Sequence, residues 1–390
     1  MSKRKADVDL PESYCEGFHD LEEIKKMEYR VLPHFGKVSI ISFGASGLGG
    51  MFTAGQGSGL ADAVAGEGAG DVWFMEDAEE DKARAKEIVL MCLKAGINMI
   101  DTSHWYGQGR SERLLGHALK DVPRKAFYVN SKIGRYDKDP LLMFNFTYEK
   151  TYQGVLDTLK RLQLDYVDSM QVHDPEFSPS VDIIISQTLP ALHRLKQEGK
   201  IKYVGMTGYP LDVQREIFEK ATKAMVPIDT SLSYCHYALN DTSLISSGFL
   251  DFCKERNVAL INASPISMGL LTDRDPPGWH PAQPETKALC KRAAAYCTEQ
   301  SVDFAKLALH YCLREERIGT TLISSTSVAR MRSNLDAVGA TLSAKEEAAL
   351  KHLLDTFFGP AGQQSWEGVE LGHYWNGIGK KLMTERIYSK

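Results

Sequence analysis

The sequence predicts an α/β protein built as a (β/α)₈ TIM barrel, with an N-terminal hairpin, a long loop after the first strand and a C-terminal extension. Three observations predict it. Eight short apolar runs occur in series, and a helix-like segment follows each of them. The runs carry β-branched and apolar residues without clean polar alternation, as strands covered on both faces should. The chain has 390 residues, ordinary for a decorated barrel whose core needs roughly 250. An open doubly wound sheet is the alternative for the same alternation, but its nucleotide-binding form needs a Gly-rich turn of set spacing after the first strand. GASGLGG (44–50) lacks that spacing and GQGSG (55–59) follows no strand, so both clusters read as flexible turns.

The elements follow in order. Residues 1–27 are charged and weakly patterned and read as a flexible tail. From Glu28, two strand-like pieces around Pro33 and Gly36 predict a hairpin leading into a first strand at 38–43. Residues 50–78 are rich in Gly and Ala, end in acidic residues and hold no apolar period, as expected of a long surface loop. Strands are then predicted at 96–100, 126–132, around 165–172, 201–206, 227–233, 258–264 and 320–325. Helices are predicted at 79–95, 111–120, 147–162, 182–198, 211–224, 242–256, 285–300 with 302–314, then 327–338 and 343–357. The barrel proper spans 28–357, and 358–390 form the extension.

Composition narrows the function. A net charge of −5 leaves no basic field for nucleic acid or an anionic membrane. No apolar run reaches the eighteen or so residues a membrane span needs, and the N-terminus has no apolar stretch for secretion. Seven scattered cysteines without a Cys-x-x-Cys fit free thiols in a reducing compartment. The expectation is a cytoplasmic protein without a metal site.

A barrel places its chemistry at the C-terminal ends of its strands. Asp101 closes the second predicted strand, Lys132 the third and His173 the fourth; Tyr106 lies on the loop after Asp101. Alone, Asp101 reads as a turn former, Lys132 as a solvated strand end, His173 as a loop hydrogen bond and Tyr106 as packing. Together, on three consecutive strand ends, they form a set. Asp101 can hold Lys132, whose ammonium favours the Tyr106 phenolate and lowers its pKa. Tyr106 then serves as general acid or base toward a carbonyl or alcohol, with His173 orienting the substrate oxygen. The hydride must come from a cofactor, because no side chain supplies one.

The segment GINMIDTSHWYGQGRSERLLGHAL (96–119), with Lys132 and His173, closely resembles the catalytic signature of the aldo-keto reductases. The resemblance covers roughly 28–357. It implies a nicotinamide dinucleotide lying across the barrel mouth without a Rossmann motif. LKRLQLDYVDSMQVHDPEF, SLSYCHYALNDTSL and NASPISMGLLTDRDPPGWHPA are similar to the branch that oxidises sugars such as L-galactose and D-arabinose at the anomeric carbon to lactones, usually with NAD. On that basis Thr207 and Gly208 approach the carboxamide, Gly208 replacing the usual Asn. Ser264, Met268, Gly269 and Leu270 match the loop beside the pyrophosphate. Ser324, Ser325, Thr326, Arg330 and Asn334 fill the adenosine end. Ser324 replaces the Lys of NADP-preferring members, which favours NAD; Arg330 keeps NADP within reach. The usual Gln contact falls near Leu232 or Ser233, and Ala263 stands where many members stack an aromatic ring. His104, Trp105, Tyr209, His236, Trp279 and His280 are candidates to line the substrate pocket. The resemblance also leaves two rivals, a general aldehyde or ketone reductase using NADPH and a cofactor-binding regulatory subunit. The protein is expected to act on a small molecule as a monomer or homodimer.

Overall fold

The computed structural model describes residues 10–50, 77–276, 278–378 and 387–388. Two antiparallel strands, β1 (Tyr29–Leu32) and β2 (Gly36–Ser39), form a hairpin. Eight parallel strands follow: β3 (Ile41–Gly44), β4 (Met99–Asp101), β5 (Tyr128–Ile133), β6 (Val167–His173), β7 (Ile201–Thr207), β8 (Thr230–Tyr234), β9 (Ala259–Ala263) and β10 (Thr320–Ile323). They close into a barrel, β10 pairing with both β9 and β3. All eight predicted barrel strands are present. The first is displaced: Val38 and Ser39, expected in it, belong to the hairpin. Asn98 explains the break. Its Oδ1 accepts from Ser39 N at 2.9 Å, its Nδ2 donates to the Lys37 carbonyl oxygen at 2.9 Å, and Ser39 Oγ bonds forward to the Ile41 carbonyl oxygen. The chain therefore turns at Ile40.

The outer helices bury one stripe each. In Tyr148–Leu162, Thr147 caps the N-terminus by accepting from Lys150 N, and Thr151, Val155, Thr158, Leu159 and Leu162 face the strands at three- and four-residue spacing. The strand faces between barrel and helices make one large core. Inside the barrel a second, smaller core joins Met99, Leu232, Ile261 and Leu322 to Leu32, Phe35 and Val38 of the hairpin, which plugs the N-terminal end. Tyr128 and Tyr203 fix the plug by donating to the carbonyl oxygens of Phe35 (2.6 Å) and His34 (2.8 Å).

The described part of the expected tail is packed rather than loose. Ser13, Ile24 and Met27 are buried, and Asn98 Nδ2 donates to Ser13 Oγ at 2.9 Å. Of the expected loop at 50–78, residues 51–76 lie outside the described residues. Its described end is anchored, with Asp77 paired to Arg113 at 2.6 Å. The extension crosses the C-terminal face of the barrel. Trp366 stacks on Tyr209, their ring centroids 5.2 Å apart, and Tyr374 sits against Phe144 and Phe177 and donates to the Pro140 carbonyl oxygen. Both are almost fully buried. Among the described residues, no helix is long and apolar enough to cross a membrane.

Arg30 latches the hairpin to the barrel wall. Its guanidinium donates to three carbonyl oxygens at the end of helix Phe304–Leu313 and just beyond: Leu313 (2.8 Å), Glu315 (2.8 Å) and Ile318 (2.9 Å). The Leu313 oxygen is one the helix end leaves unpaired, while the Glu315 oxygen also accepts from Ile318 N at 3.1 Å. Arg30→Gln should lower stability in urea by about 2–3 kcal/mol and leave turnover intact; an unchanged midpoint would show that the latch carries no weight.

Candidate active site

The barrel register sets Asp101 beside Asn130 and brings the end of β4 against β5. Lys132 Nζ donates to Asp101 Oδ1, to the Thr102 carbonyl oxygen at 2.9 Å and to the Tyr106 hydroxyl at 3.2 Å. The three hydrogens of the ammonium are thereby used. Asn130 Nδ2 donates to Asp101 Oδ2 at 2.6 Å, so both carboxylate oxygens are held. Asp101 and Lys132 are 3% and 2% exposed, a burial tolerable only with such pairing.

His173 ends β6, its ring edge-on to Tyr106 with centroids 6.2 Å apart. Its Nδ1 lies 3.2 Å from Ser103 Oγ, which accepts from the Trp105 amide. Ser103 thus engages Nδ1 and leaves Nε2 as the ring nitrogen available to a substrate oxygen. Burial lowers the His173 pKa well below 6.5, helped by Lys132 and Arg135. The ring is neutral at physiological pH.

Tyr106 departs from expectation. Burial raises its pKa above 10, Lys132 pulls it down and Asp101 pushes it up again. The ammonium was expected to leave the phenol more acidic than usual. Desolvation outweighs it, and Asp101 offsets much of its charge. For Lys132, burial lowers the pKa, but Asp101 and Tyr106 outweigh burial and leave it raised.

The backbone around Tyr106 is just as constrained. A Cβ on Gly49 would stand 2.5 Å from the Tyr106 carbonyl carbon, and one on Gly107 would stand 2.4 Å from the Gly49 oxygen. The 44–50 cluster, expected as a flexible turn, is a tight 3₁₀ turn (Ala45–Gly49) pressed on the tyrosine loop. The cluster at 55–59 lies outside the described residues. Glu112, in the same signature segment, is buried and ties β5 to two helices, accepting from Ser131 Oγ (2.7 Å), Thr158 Oγ1 (3.0 Å) and Arg161 Nε (2.6 Å).

The residues expected around a dinucleotide lie on the same face. Thr207 ends β7. A Cβ on Gly208 would fall 2.6 Å from Glu176 Oε2, which accounts for glycine where Asn is usual. After β9, Ser264, Ser267, Met268 and Gly269 all take positive φ (61°, 46°, 52° and 104°). The turn is closed by its own amides, Ser267 N donating to the Ser264 carbonyl oxygen (2.8 Å), Gly269 N to that of Ile266 (3.0 Å) and Leu270 N to that of Ser267 (3.2 Å), which fixes a tight polar loop at the end of β9. Leu270 is buried beneath them. After β10, Ser324 Oγ accepts from Gly47 N at 3.3 Å, and Ser325 and Thr326 lead to helix Val328–Asp336. That helix has no acidic residue in its first turn, which suits a phosphate at its N-terminus. It carries the exposed Arg330 and the half-buried Asn334. This chemistry fits a dinucleotide. Leu232, by contrast, packs inside the barrel.

Not all the expected pocket residues reach the site. His236 is buried with both ring nitrogens engaged, to the Tyr209 carbonyl oxygen and to Ser243 Oγ. His280 bonds to the Ser267 carbonyl oxygen, and His104 to that of Tyr136. These histidines brace loops. Sequence reasoning missed four residues near the reacting groups: Asn130, Ser103, and the ion pair Arg135–Asp174 (2.9 Å). None stands out by residue type; only the register and the loop turn bring them in.

Residues 68–355 match the Aldo/keto reductase family. The chain is 41% identical over 316 residues to L-galactose dehydrogenase of Arabidopsis thaliana, covering 80% of this chain and 88% of that one. It is 30% identical over 302 residues to D-arabinose 1-dehydrogenase of Saccharomyces cerevisiae, covering 74% and 88%. An aldo-keto reductase from Bacillus halodurans, solved in its holo form, is similar with a TM-score of 0.59 and 26% identity, covering 84% and 96%. The chain belongs to the aldo/keto reductase family. It is an oxidoreductase of the kind that uses a nicotinamide cofactor.

Two consequences follow from the geometry. Tyr106→Phe should cut kcat by about 10²–10⁴ while nucleotide affinity, read by fluorescence, stays nearly unchanged. In the native protein, oxidation should keep rising with pH above neutrality, because burial makes Tyr106 hold its proton longer than an ordinary phenol. It should show no break near 6.5, because His173 stays neutral. A plateau governed by a group near neutrality would contradict this assignment.

Proposed function

We propose that the protein oxidises the anomeric hydroxyl of an aldose such as L-galactose to its lactone, with Asp101, Tyr106, Lys132 and His173 as the catalytic set. The observation that carries this is the likeness to two enzymes named as sugar dehydrogenases, at 41% and 30% identity over most of each chain. The site geometry supports it. His173 Nε2 donates to the anomeric hydroxyl oxygen and orients it. Tyr106 accepts the hydroxyl proton, and Lys132, 3.2 Å away, stabilises the phenolate that would otherwise be costly in a buried site. Asp101 and Asn130 keep Lys132 in place. A bound nicotinamide would supply the acceptor for the hydride that leaves the anomeric carbon.

Thr207, Gly208, Ser264, Met268, Gly269, Leu270, Ser324, Ser325, Thr326, Arg330 and Asn334 are assigned to the dinucleotide. Ser324 offers a hydroxyl where a 2′-phosphate would want a cation, so NAD is the assigned cofactor; the exposed Arg330 leaves NADP usable. The seven free thiols suit a cytoplasmic enzyme, acting as a monomer or homodimer. The complete Asp–Lys–Tyr–His arrangement favours turnover over a purely regulatory role.

The test is absorbance of reduced nicotinamide with L-galactose, L-fucose, D-arabinose and a simple aldehyde, each with NAD or NADP in the fitting oxidation state. Fast NAD reduction by one of the sugars is expected. Turnover of the aldehyde alone with NADPH would instead make the protein a carbonyl reductase and overturn the role given to Ser324.

A further inference from the structure

A second buried ion pair stands beside the reacting groups and has no part in the proton path. Asp174 follows His173 directly and takes left-handed backbone, φ 51°, which Asp tolerates better than most residues. This turn brings its carboxylate back over the histidine: Oδ2 lies 3.7 Å from His173 Nε2 and 2.9 Å from Arg135 Nη1. The guanidinium is held in turn over the Trp105 ring, 4.0 Å from its centroid. Asp174 is 3% exposed. Burial pushes its carboxyl up, and Arg135 works against that. Two apolar side chains would fill this space at lower desolvation cost. Unlike Asp101, which is closed off by Lys132 and Asn130, the pair keeps unused capacity. Arg135 Nε is buried with no hydrogen-bond partner among the described residues, and a carboxylate can accept about four bonds.

We propose that Asp174, paired with Arg135, accepts a hydrogen bond from the hydroxyl on the carbon next to the reacting one, and so selects hydroxylated aldoses over simple aldehydes. This rests on the sugar dehydrogenase function proposed above. With Nδ1 engaged by Ser103, Nε2 is the nitrogen left for the substrate oxygen. An oxygen bonded to it lies about 3 Å away. Asp174 Oδ2, 3.7 Å from the same nitrogen, is then within reach of a hydroxyl one carbon further along. In an aldose reacting at C1, that is the C2 hydroxyl. A carboxylate accepting from it makes a charge-assisted bond. A substrate without that hydroxyl leaves a desolvated acceptor unanswered, and sites built on hydrogen bonds reject such analogues strongly.

The test compares L-galactose with its 2-deoxy form, and D-arabinose with 2-deoxy-D-ribose, which is D-arabinose lacking its C2 hydroxyl. The native protein should favour the hydroxylated sugar of each pair by about tenfold or more in kcat/KM. Asp174→Asn, which keeps the size and tolerates the same backbone, should erase the preference, mainly through KM, by lowering kcat/KM for the hydroxylated sugar about tenfold more than for its deoxy partner. Asp174→Ser should do likewise and guards against a folding fault peculiar to Asn. Equal losses on both sugars of a pair, a preference surviving in the variants, or no preference in the native protein would each overturn the proposal. If the native protein oxidises none of these sugars, the sugar function fails by itself. Reduction of glycolaldehyde against acetaldehyde then probes the same contact, because only the first carries a hydroxyl beside the reacting carbon. A native preference for glycolaldehyde that Asp174→Asn removes would sustain the role of Asp174, and its absence would end it.

Discussion

The ion pair between Asp101 and Lys132, sealed inside the mouth of the barrel, is the constraint on which the site depends. Neither charge could stay in this environment alone. Each is kept by its partner and by bonds from the frame: Asn130 to the carboxylate, the Thr102 carbonyl oxygen to the ammonium. The remaining ammonium hydrogen goes to the Tyr106 hydroxyl and gives that buried phenol a charged partner. The pair exists because two adjacent parallel strands end in register. The register of β4 on β5 is therefore part of the chemistry and not only a scaffold for it.

The surrounding structure holds this arrangement still. Gly49 and Gly107 let two loop backbones touch behind Tyr106. Ser103 sets the histidine. Glu112 ties the strand carrying Lys132 to two helices. Farther out, the C-terminal extension lies across the βα loops and is anchored by Trp366 and Tyr374. It brings Glu370 into a neighbourhood that already holds Asp174, Glu176 and Arg135. Burial and Asp174 both push the Glu370 carboxyl up, while Arg135 pulls it down. Charged and hydrogen-bonding groups therefore stand beside the rings on this side of the barrel.

Much of this was legible in the sequence, for physical reasons. Strands covered on both faces leave apolar runs, and a charged residue closing such a run needs a partner; Asp101 and Lys132 were recognisable on those terms. The start of the first barrel strand was not, because β2 and β3 form one apolar stretch broken by Asn98, about sixty residues away. Glycine reads alike whether it loosens a turn or admits a neighbour, so the packing of Gly49 on Tyr106 was hidden. The acidity of Tyr106 was misjudged because sequence displays the charge of Lys132 but not the desolvation opposing it. His236 looked like a pocket residue until its two bonded nitrogens showed otherwise. Asp174 was not singled out, because its left-handed backbone, which brings the carboxylate back over His173, is not visible in the residue type.

The most direct test of this account is a stability and turnover comparison of Lys132→Met, Asp101→Leu and the double variant. Removing one partner leaves a buried charge uncompensated, so each single change should cost about 3–5 kcal/mol in denaturant unfolding. The double variant should recover most of that loss and still be inactive, because nothing then supports the Tyr106 phenolate. A double variant no more stable than the singles, or one that turns over substrate, would show that the buried pair is not what the site is built on.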